Sequence, residues 1–119
     1  EELLQRSEES IDQNVKVPIP GSNYYDYIEI YNIIRCEGWQ KYTRIHLKNN
    51  TSLLSSYNLG VFRELLSKYA FIDVHKSHLI NKKHISKYLN EGIIIMSDNS
   101  QVPLSRRRRN EFMNEVNKI

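Results

Sequence analysis

Short runs of β-forming residues, each separated from the next by a few turn residues, constrain the fold of this chain most strongly. Residues 42–47 alternate polar and apolar side chains with a period of two, which is typical of a half-buried strand. The Asn49-Asn50 pair that follows predicts a hairpin turn, because asparagine tolerates the left-handed backbone region. The pattern therefore predicts a mainly β domain, with strands at residues 15–19, 24–31, 33–36, 42–48, 51–57, 78–81, 85–89, 92–96 and 101–103.

Two segments have helical spacing instead of strand spacing. The first follows Asn58, a favourable N-cap residue, and covers residues 59–68. The second follows Ser105, which is again a candidate N-cap, and continues to the end of the chain. We therefore expect one small helix packed on the sheets and one C-terminal helix, whose apolar faces carry Leu59, Phe62, Leu65, Leu66 and Tyr69 in the first and Phe112, Met113, Val116 and Ile119 in the second.

Length and composition indicate one globular domain with a polar extension. The 119 residues are 39% hydrophobic, which is enough for a core of ordinary size. Residues 1–14 are polar and acidic and are expected to be a linker helix or tail from an upstream domain, whereas residues 15–119 are expected to fold. No apolar run approaches the roughly 18 residues that cross a bilayer, and the first residues lack a signal-peptide pattern. We therefore expect a cytoplasmic domain without membrane contact.

The chain offers little that is suited to catalysis. Cys36 is the single cysteine and lies in an apolar run, which predicts a buried core residue in a reducing compartment rather than a nucleophile or metal ligand. With only four glycines there is no glycine-rich phosphate loop, and no serine or cysteine has a recognisable base partner in the sequence. We therefore expect neither enzymatic activity nor a bound cofactor.

Four consecutive arginines after Ser105 are the clearest anomaly in the sequence. If Ser105 is an N-cap, these arginines fill the first helical turn, where the helix dipole and mutual repulsion both disfavour cations. A nearby phosphate backbone would reverse both penalties, and arginine can also bond a guanine edge through two parallel donors. The arginines therefore indicate nucleic-acid contact; the alternative is a solvated charge run in which Arg107 and Arg108 pair with Glu111.

A histidine-rich segment precedes that run. His75, His78 and His84 invite a metal-site hypothesis, with Asp73 as a possible fourth ligand. An offset of three on a strand would turn the first two imidazoles to opposite faces, so we expect no metal here and interpret the segment as a loop with hydrogen-bonding histidines. Phosphate or base contact by Lys76 and Ser77 is the better functional interpretation.

Aromatic side chains supply a further set of candidates. Trp39, Gln40 and Lys41 form a polar loop between two predicted strands, where Gln40 and Lys41 could meet base edges or phosphates. Single-strand or RNA binding is an alternative, because a cluster of tyrosines could stack bases together with Trp39. These tyrosines are Tyr24, Tyr25 and Tyr27.

The order of these segments closely resembles the LytTR domain of bacterial transcription factors. The resemblance extends from about residue 15 to residue 116, and its most specific part is the His75-x-Ser77-x-Leu-Ile-Asn81 segment followed by Ser105-Arg106-Arg107. It implies a stack of short antiparallel sheets with about ten strands, one small packed helix and a C-terminal helix. Arg108 and Arg109 make the basic run longer than the motif requires.

What the resemblance implies about function is sequence-specific binding of double-stranded DNA by loops that enter neighbouring major grooves. The domain would regulate transcription as the effector of a bacterial two-component response regulator, with an upstream receiver domain and a homodimer on neighbouring repeat sites. A protein-interaction or dimerisation module with a solvated basic face, or non-specific nucleic-acid binding, is the alternative. The expected contact residues are Trp39, Gln40, Lys41, His75, Lys76, Ser77, Ser105, Arg106, Arg107 and Arg108.

Overall fold

A computed structural model describes residues 15–117, and the predicted linker at residues 1–14 lies outside the described residues. Within these residues, ten strands form three antiparallel sheets with two helices, which confirms the predicted mainly β stack. The strands are β1 (Lys16–Pro20), β2 (Tyr25–Glu29), β3 (Ile33–Trp39), β4 (Tyr42–Leu47), β5 (Thr51–Ser55), β6 (Phe71–His75), β7 (His78–Asn81), β8 (Ile85–Leu89), β9 (Ile93–Met96) and β10 (Gln101–Pro103). The helices are α1 (Leu59–Leu65) and α2 (Arg109–Val116), and short 3-10 turns cover Ile30–Asn32, Lys82–His84 and Arg106–Arg108.

The central sheet has five strands in the order β5-β4-β3-β7-β6, and the other elements pack on its two faces. Its middle strands are buried on both faces: neighbours along β3, such as Ile33 and Ile34, point into two different cores. The first core lies between this sheet, strand β1 and helix α1, where Phe62 is fully buried. The second lies between the opposite face, strands β9 and β10, and α2, where Phe112 is buried. This two-sided packing fixes the ends of the central strands, from which the turns project.

Local signals in the sequence account for several element boundaries. Asn49 and Asn50 have φ values of 65° and 59° in the β4–β5 connection, as predicted for left-handed asparagines. Asn58 caps α1, because its side-chain oxygen accepts from the Val61 N–H at 3.2 Å. Helix α1 ends at Leu65 and is therefore shorter than the predicted segment of residues 59–68.

Two predicted elements need correction. Phe71–His75 is strand β6 and not part of a loop, and it pairs with β7 as the edge of the central sheet. The final α-helix begins at Arg109, because Arg106–Arg108 form a 3-10 turn ahead of it. Ser105 makes no side-chain cap bond, and its buried hydroxyl oxygen has no hydrogen-bond partner in the described part of the chain. Between residues 15 and 117, no helix is both long and apolar enough to cross a membrane.

Candidate nucleic-acid interface

Three turns lie at one end of the strands of the central sheet, and the first of them joins β3 to β4. Trp39 pairs with Tyr42 at the end of the ladder, so the turn consists of only Gln40 and Lys41. Gln40 has a φ of 59°, a conformation that a tight two-residue hairpin requires and that is uncommon for residues other than glycine. All three residues of the predicted Trp39-Gln40-Lys41 loop are exposed, and Trp39 keeps 66% of its surface accessible.

The second turn joins β6 to β7. His75 pairs with His78, which leaves Lys76 and Ser77 as the turn residues, and Lys76 is exposed. The Ser77 N–H donates to Nδ1 of His75 at 3.0 Å and fixes the turn from within. The expectation that the two imidazoles point to opposite faces is wrong: they belong to opposite strands of one hairpin, and their ring centroids lie 5.2 Å apart.

The third turn is the 3-10 turn that precedes α2. Arg106 and Arg107 are exposed, and so is Arg109 at the start of the helix, where its guanidinium lies 6.0 Å from the centre of the Tyr88 ring. Arg108 points inward, with 19% of its side chain accessible. The four arginines therefore do not form one uniform solvated run.

Two backbone hydrogen bonds join the three turns into a single structure. The Gly38 N–H donates to the Ser77 carbonyl at 2.9 Å, which ties the first turn to the second. The Ser105 N–H donates to the Val74 carbonyl at 2.9 Å, which ties the third turn to strand β6. We call the set formed by residues 39–41, 75–77 and 105–107 the contact rim. Three segments that are far apart in the sequence therefore lie along one edge of the molecule.

The contact rim is positively charged. Lys41, Lys76, Arg106 and Arg107 are exposed, and within residues 15–117 none of them has a carboxylate at ion-pair distance. These four cations are therefore available to an anionic partner, which is the arrangement expected of a surface that meets phosphates.

Arg108 has a different environment from the other predicted contact residues. Its Nη1 donates to Oδ1 of Asp73 at 3.2 Å, so its guanidinium is occupied within the domain. The alternative pairing of Arg107 and Arg108 with Glu111 is not what the structure has, since the carboxylate that binds Arg108 comes from β6. This geometry places Arg108 behind the contact rim rather than on it.

Arg63 is a residue that sequence reasoning missed. It lies on α1, and its Nη2 donates to the carbonyl oxygens of His75 at 3.1 Å and Lys76 at 2.8 Å. Its Nε lies 2.9 Å from Oδ2 of Asp73. No signal in the sequence pointed to this role beyond one more polar residue on a short helix, because all three partners belong to β6 and the turn that follows it.

A partly buried cluster of charged and titratable groups lies on β3, β4 and β7, next to the first two turns of the rim. Glu37 on β3 lies 3.0 Å from Nε2 of His46 and 3.6 Å from Arg35. Burial alone would raise the pKa of the Glu37 carboxyl, but the His46 hydrogen bond and the Arg35 charge outweigh it and lower that pKa. Burial lowers the pKa of His78 to about 4, and its Nδ1 has no hydrogen-bond partner within residues 15–117. His78 is therefore neutral at physiological pH.

The remaining candidates for chemistry do not form a site. Cys36 is completely buried in the first core, as predicted, and burial raises the pKa of its thiol to about 12. Among residues 15–117, no three histidine, cysteine, aspartate or glutamate side chains come together as a metal site requires.

A cationic edge built from turns on a mainly β scaffold is the arrangement expected of the class of nucleic-acid-binding domains. Comparison with known proteins identifies the family. The family model described as the LytTr DNA-binding domain matches residues 25–117, which is most of the chain. The chain therefore belongs to the LytTR family, whose members are DNA-binding domains and not enzymes.

A solved structure has the same fold. It is the LytTr DNA-binding domain of a Bacillus cereus protein described as a methyl-accepting/DNA response regulator. The TM-score is 0.72 at 20% sequence identity, and the match covers 88% of this chain and 99% of that one. No curated protein matches this chain in sequence.

Proposed function

We propose that this domain reads double-stranded DNA in a sequence-specific manner by inserting the turns of its contact rim into neighbouring major grooves. The observation that carries the proposal is the joining of three exposed, cationic turns by the Gly38–Ser77 and Val74–Ser105 backbone hydrogen bonds. A two-residue hairpin tip is narrow enough for a major groove of about 12 Å. Because the tips are held by the central sheet, they would meet DNA with little loss of conformational entropy.

The chemistry of the exposed side chains suggests which of them would read bases. Arg106 can donate two parallel hydrogen bonds to a guanine edge, and Gln40 can pair in the same way with adenine. Trp39 is exposed beside Gln40 and could contact the sugar or a thymine methyl group. We assign base readout to Arg106 and to the first turn.

Phosphate contacts would set the position of the domain on the duplex. Lys41, Lys76 and Arg107 are exposed cations without ion-pair partners in residues 15–117, and we assign them this role. The polar groups of His75 and Ser77 lie beside Lys76 and would complete the second contact. Ser105 would contribute mainly through its backbone, because its hydroxyl oxygen is buried.

Membership of the LytTR family supports a proposal for the regulatory setting. We propose that the domain is the effector of a bacterial, cytoplasmic two-component response regulator, attached through residues 1–14 to a receiver domain. Two copies would bind neighbouring repeat sites as a homodimer, because one small module gains limited affinity and linked modules bind more tightly. The Bacillus cereus domain with this fold comes from a protein described as a response regulator, which supports this setting.

A selection experiment tests the proposed function. Duplexes bound from a random pool are sequenced, and the selected duplex and a scrambled version are then titrated across salt concentrations. We expect the selected duplex to bind at least about a thousandfold more tightly at physiological salt. Equal, salt-sensitive affinity for both duplexes would instead indicate non-specific binding or a protein-interaction module with a basic face. Stronger binding to single strands would favour stacking on the exposed Tyr24, Tyr25 and Tyr27.

A further inference from the structure

We propose that Arg63 is a positioning residue that holds the second turn of the contact rim in the conformation required for DNA recognition. The inference rests on the proposed function and assigns a role to a residue that does not itself lie on the rim. Arg63 belongs to α1, yet its guanidinium reaches the turn between β6 and β7 and bonds two consecutive carbonyl oxygens, those of His75 and Lys76.

Those two carbonyls determine the orientation of the turn. Lys76 lies at the tip, and its carbonyl accepts from Nη2 of Arg63 at 2.8 Å. Because both carbonyls accept from the Arg63 guanidinium, their oxygens are held toward α1, and the cation offsets their partial negative charge beside the rim. Arginine is suited to this position because its planar group carries five donors in fixed directions, whereas lysine is a point charge.

Asp73 extends the arrangement to the third turn. Its Oδ2 lies 2.9 Å from Nε of Arg63, and its Oδ1 accepts from Nη1 of Arg108 at 3.2 Å. One carboxylate thus connects α1, β6 and the 3-10 turn that presents Arg106. The distance between Lys76 on the second turn and Arg106 on the third is therefore set by a network of Arg63, Asp73 and Arg108.

Folding stability alone gives little reason for this network. The side chains of Arg63, Asp73 and Arg108 retain 31%, 36% and 19% of their accessible surface, and partly exposed ion pairs stabilise a fold only weakly. Positioning of a contact surface gives a stronger reason, since small errors in the placement of donors are costly for recognition.

The substitution Arg63→Lys tests the inference because it keeps the charge and removes the planar set of donors. Arg44→Lys is the matched control, since Arg44 donates to Ser52 on β5 at 3.2 Å and its side chain makes no ion pair within residues 15–117. Both variants are titrated with the selected and the scrambled duplex. We expect Arg63→Lys to lower affinity for the selected duplex about fivefold to tenfold, with the salt slope and the affinity for the scrambled duplex unchanged. Arg44→Lys should behave as the native domain does.

A second measurement does not depend on DNA. Amide hydrogen exchange at Lys76 and Ser77 in the free domain should be faster in Arg63→Lys than in the native protein, while exchange in the core strands stays the same. Unchanged exchange at the turn, or full retention of sequence preference, would overturn the inference. If the native domain itself has no sequence preference, the proposed function is wrong and the recognition role of Arg63 falls with it. The exchange data would then still decide whether Arg63 holds the turn.

Discussion

Gly38 on β3 lies so close to Leu59 on α1 that a Cβ atom at position 38 would be 3.1 Å from the Leu59 Cβ. Such a distance is shorter than an ordinary van der Waals contact, so a side chain at position 38 would push the helix and the strand apart. The same glycine donates its N–H to the carbonyl of Ser77. Gly38 therefore both allows α1 to pack closely on β3 and connects the first two turns of the contact rim.

The first prediction concerns this glycine. Gly38→Ala should lower the free energy of unfolding by about 1 to 2 kcal/mol, because Leu59 is buried and its Cβ cannot move freely. It should also weaken binding to the selected duplex by displacing the first turn. Urea denaturation and a DNA titration measure the two effects. Gly60→Ala is the comparison, since its added Cβ meets the Asn58 oxygen that caps α1 at 3.1 Å, which belongs to an exposed side chain, and not a buried one such as Leu59. Any weakening of the cap is offset by the preference of a helix for alanine over glycine, about 0.5 to 1 kcal/mol, so a loss of stability as large as at Gly38 would contradict the explanation.

The second prediction separates base readout from phosphate contact. Arg106→Ala should cost about 1 to 3 kcal/mol on the selected duplex and little on a scrambled one, because a lost base contact matters only where the base is correct. Arg107→Ala should weaken both duplexes equally and reduce the magnitude of the salt slope by about 0.9. Titrations with both duplexes at four or more salt concentrations measure these effects. If the two variants gave the same pattern, the proposed division of roles would be wrong.

The third prediction concerns pH. Burial lowers the pKa of His78 from 6.5 to about 4, so the unfolded chain binds more protons than the folded one between these two values. As far as His78 is concerned, the free energy of unfolding should therefore be greatest above pH 6.5 and should decrease as the pH falls toward 4. The contribution has an upper limit of about 1.36 kcal/mol per pH unit and is smaller in practice, since the side chain is partly exposed.

His78→Gln isolates this contribution. Urea denaturation between pH 4 and pH 7.5 should show a shallower loss of stability on acidification in the variant than in the native domain. NMR titration of the His78 imidazole provides the direct measurement, and a midpoint near its ordinary value would contradict the prediction.

The fourth prediction uses the single cysteine. Cys36 has no exposed surface, and the pKa of its thiol is raised to about 12, so the reactive thiolate is essentially absent from the folded domain at neutral pH. A thiol reagent such as DTNB should leave the native protein unmodified and should label one thiol per chain in urea. Rapid labelling without denaturant would show that the first core opens readily at β3.

Features of the sequence that act over a few residues were predicted well. The alternating residues 42–47 form β4, as predicted. Asn49 and Asn50 have left-handed conformations, and Asn58 caps a helix. Each depends on a backbone preference or on contacts within one turn of chain. The three turns that we assign to DNA contact were also selected from the sequence, on their polar residues and on the family resemblance.

The features that were missed depend on partners far away in the chain. The histidine-rich segment was interpreted as a loop, and Asp73 within it was considered only as a metal ligand. In the structure it lies on β6, and the partners of its carboxylate are Arg63 and Arg108, which belong to two other elements. The expected DNA contact of Arg108 stays a prediction, but its carboxylate partner Asp73, 35 positions earlier, could not be read from the basic run. Local spacing does not reveal which of several adjacent arginines will turn inward.

The backbone hydrogen bonds of the contact rim have a consequence for how such domains diversify. Since Gly38 binds Ser77, and Ser105 binds Val74, through main-chain atoms, the spacing of the turns does not depend on the side chains displayed at their tips. With the roles proposed above, substitutions at Gln40 or Arg106 would therefore change the DNA sequence that the domain prefers, while the frame that presents these two residues stays the same.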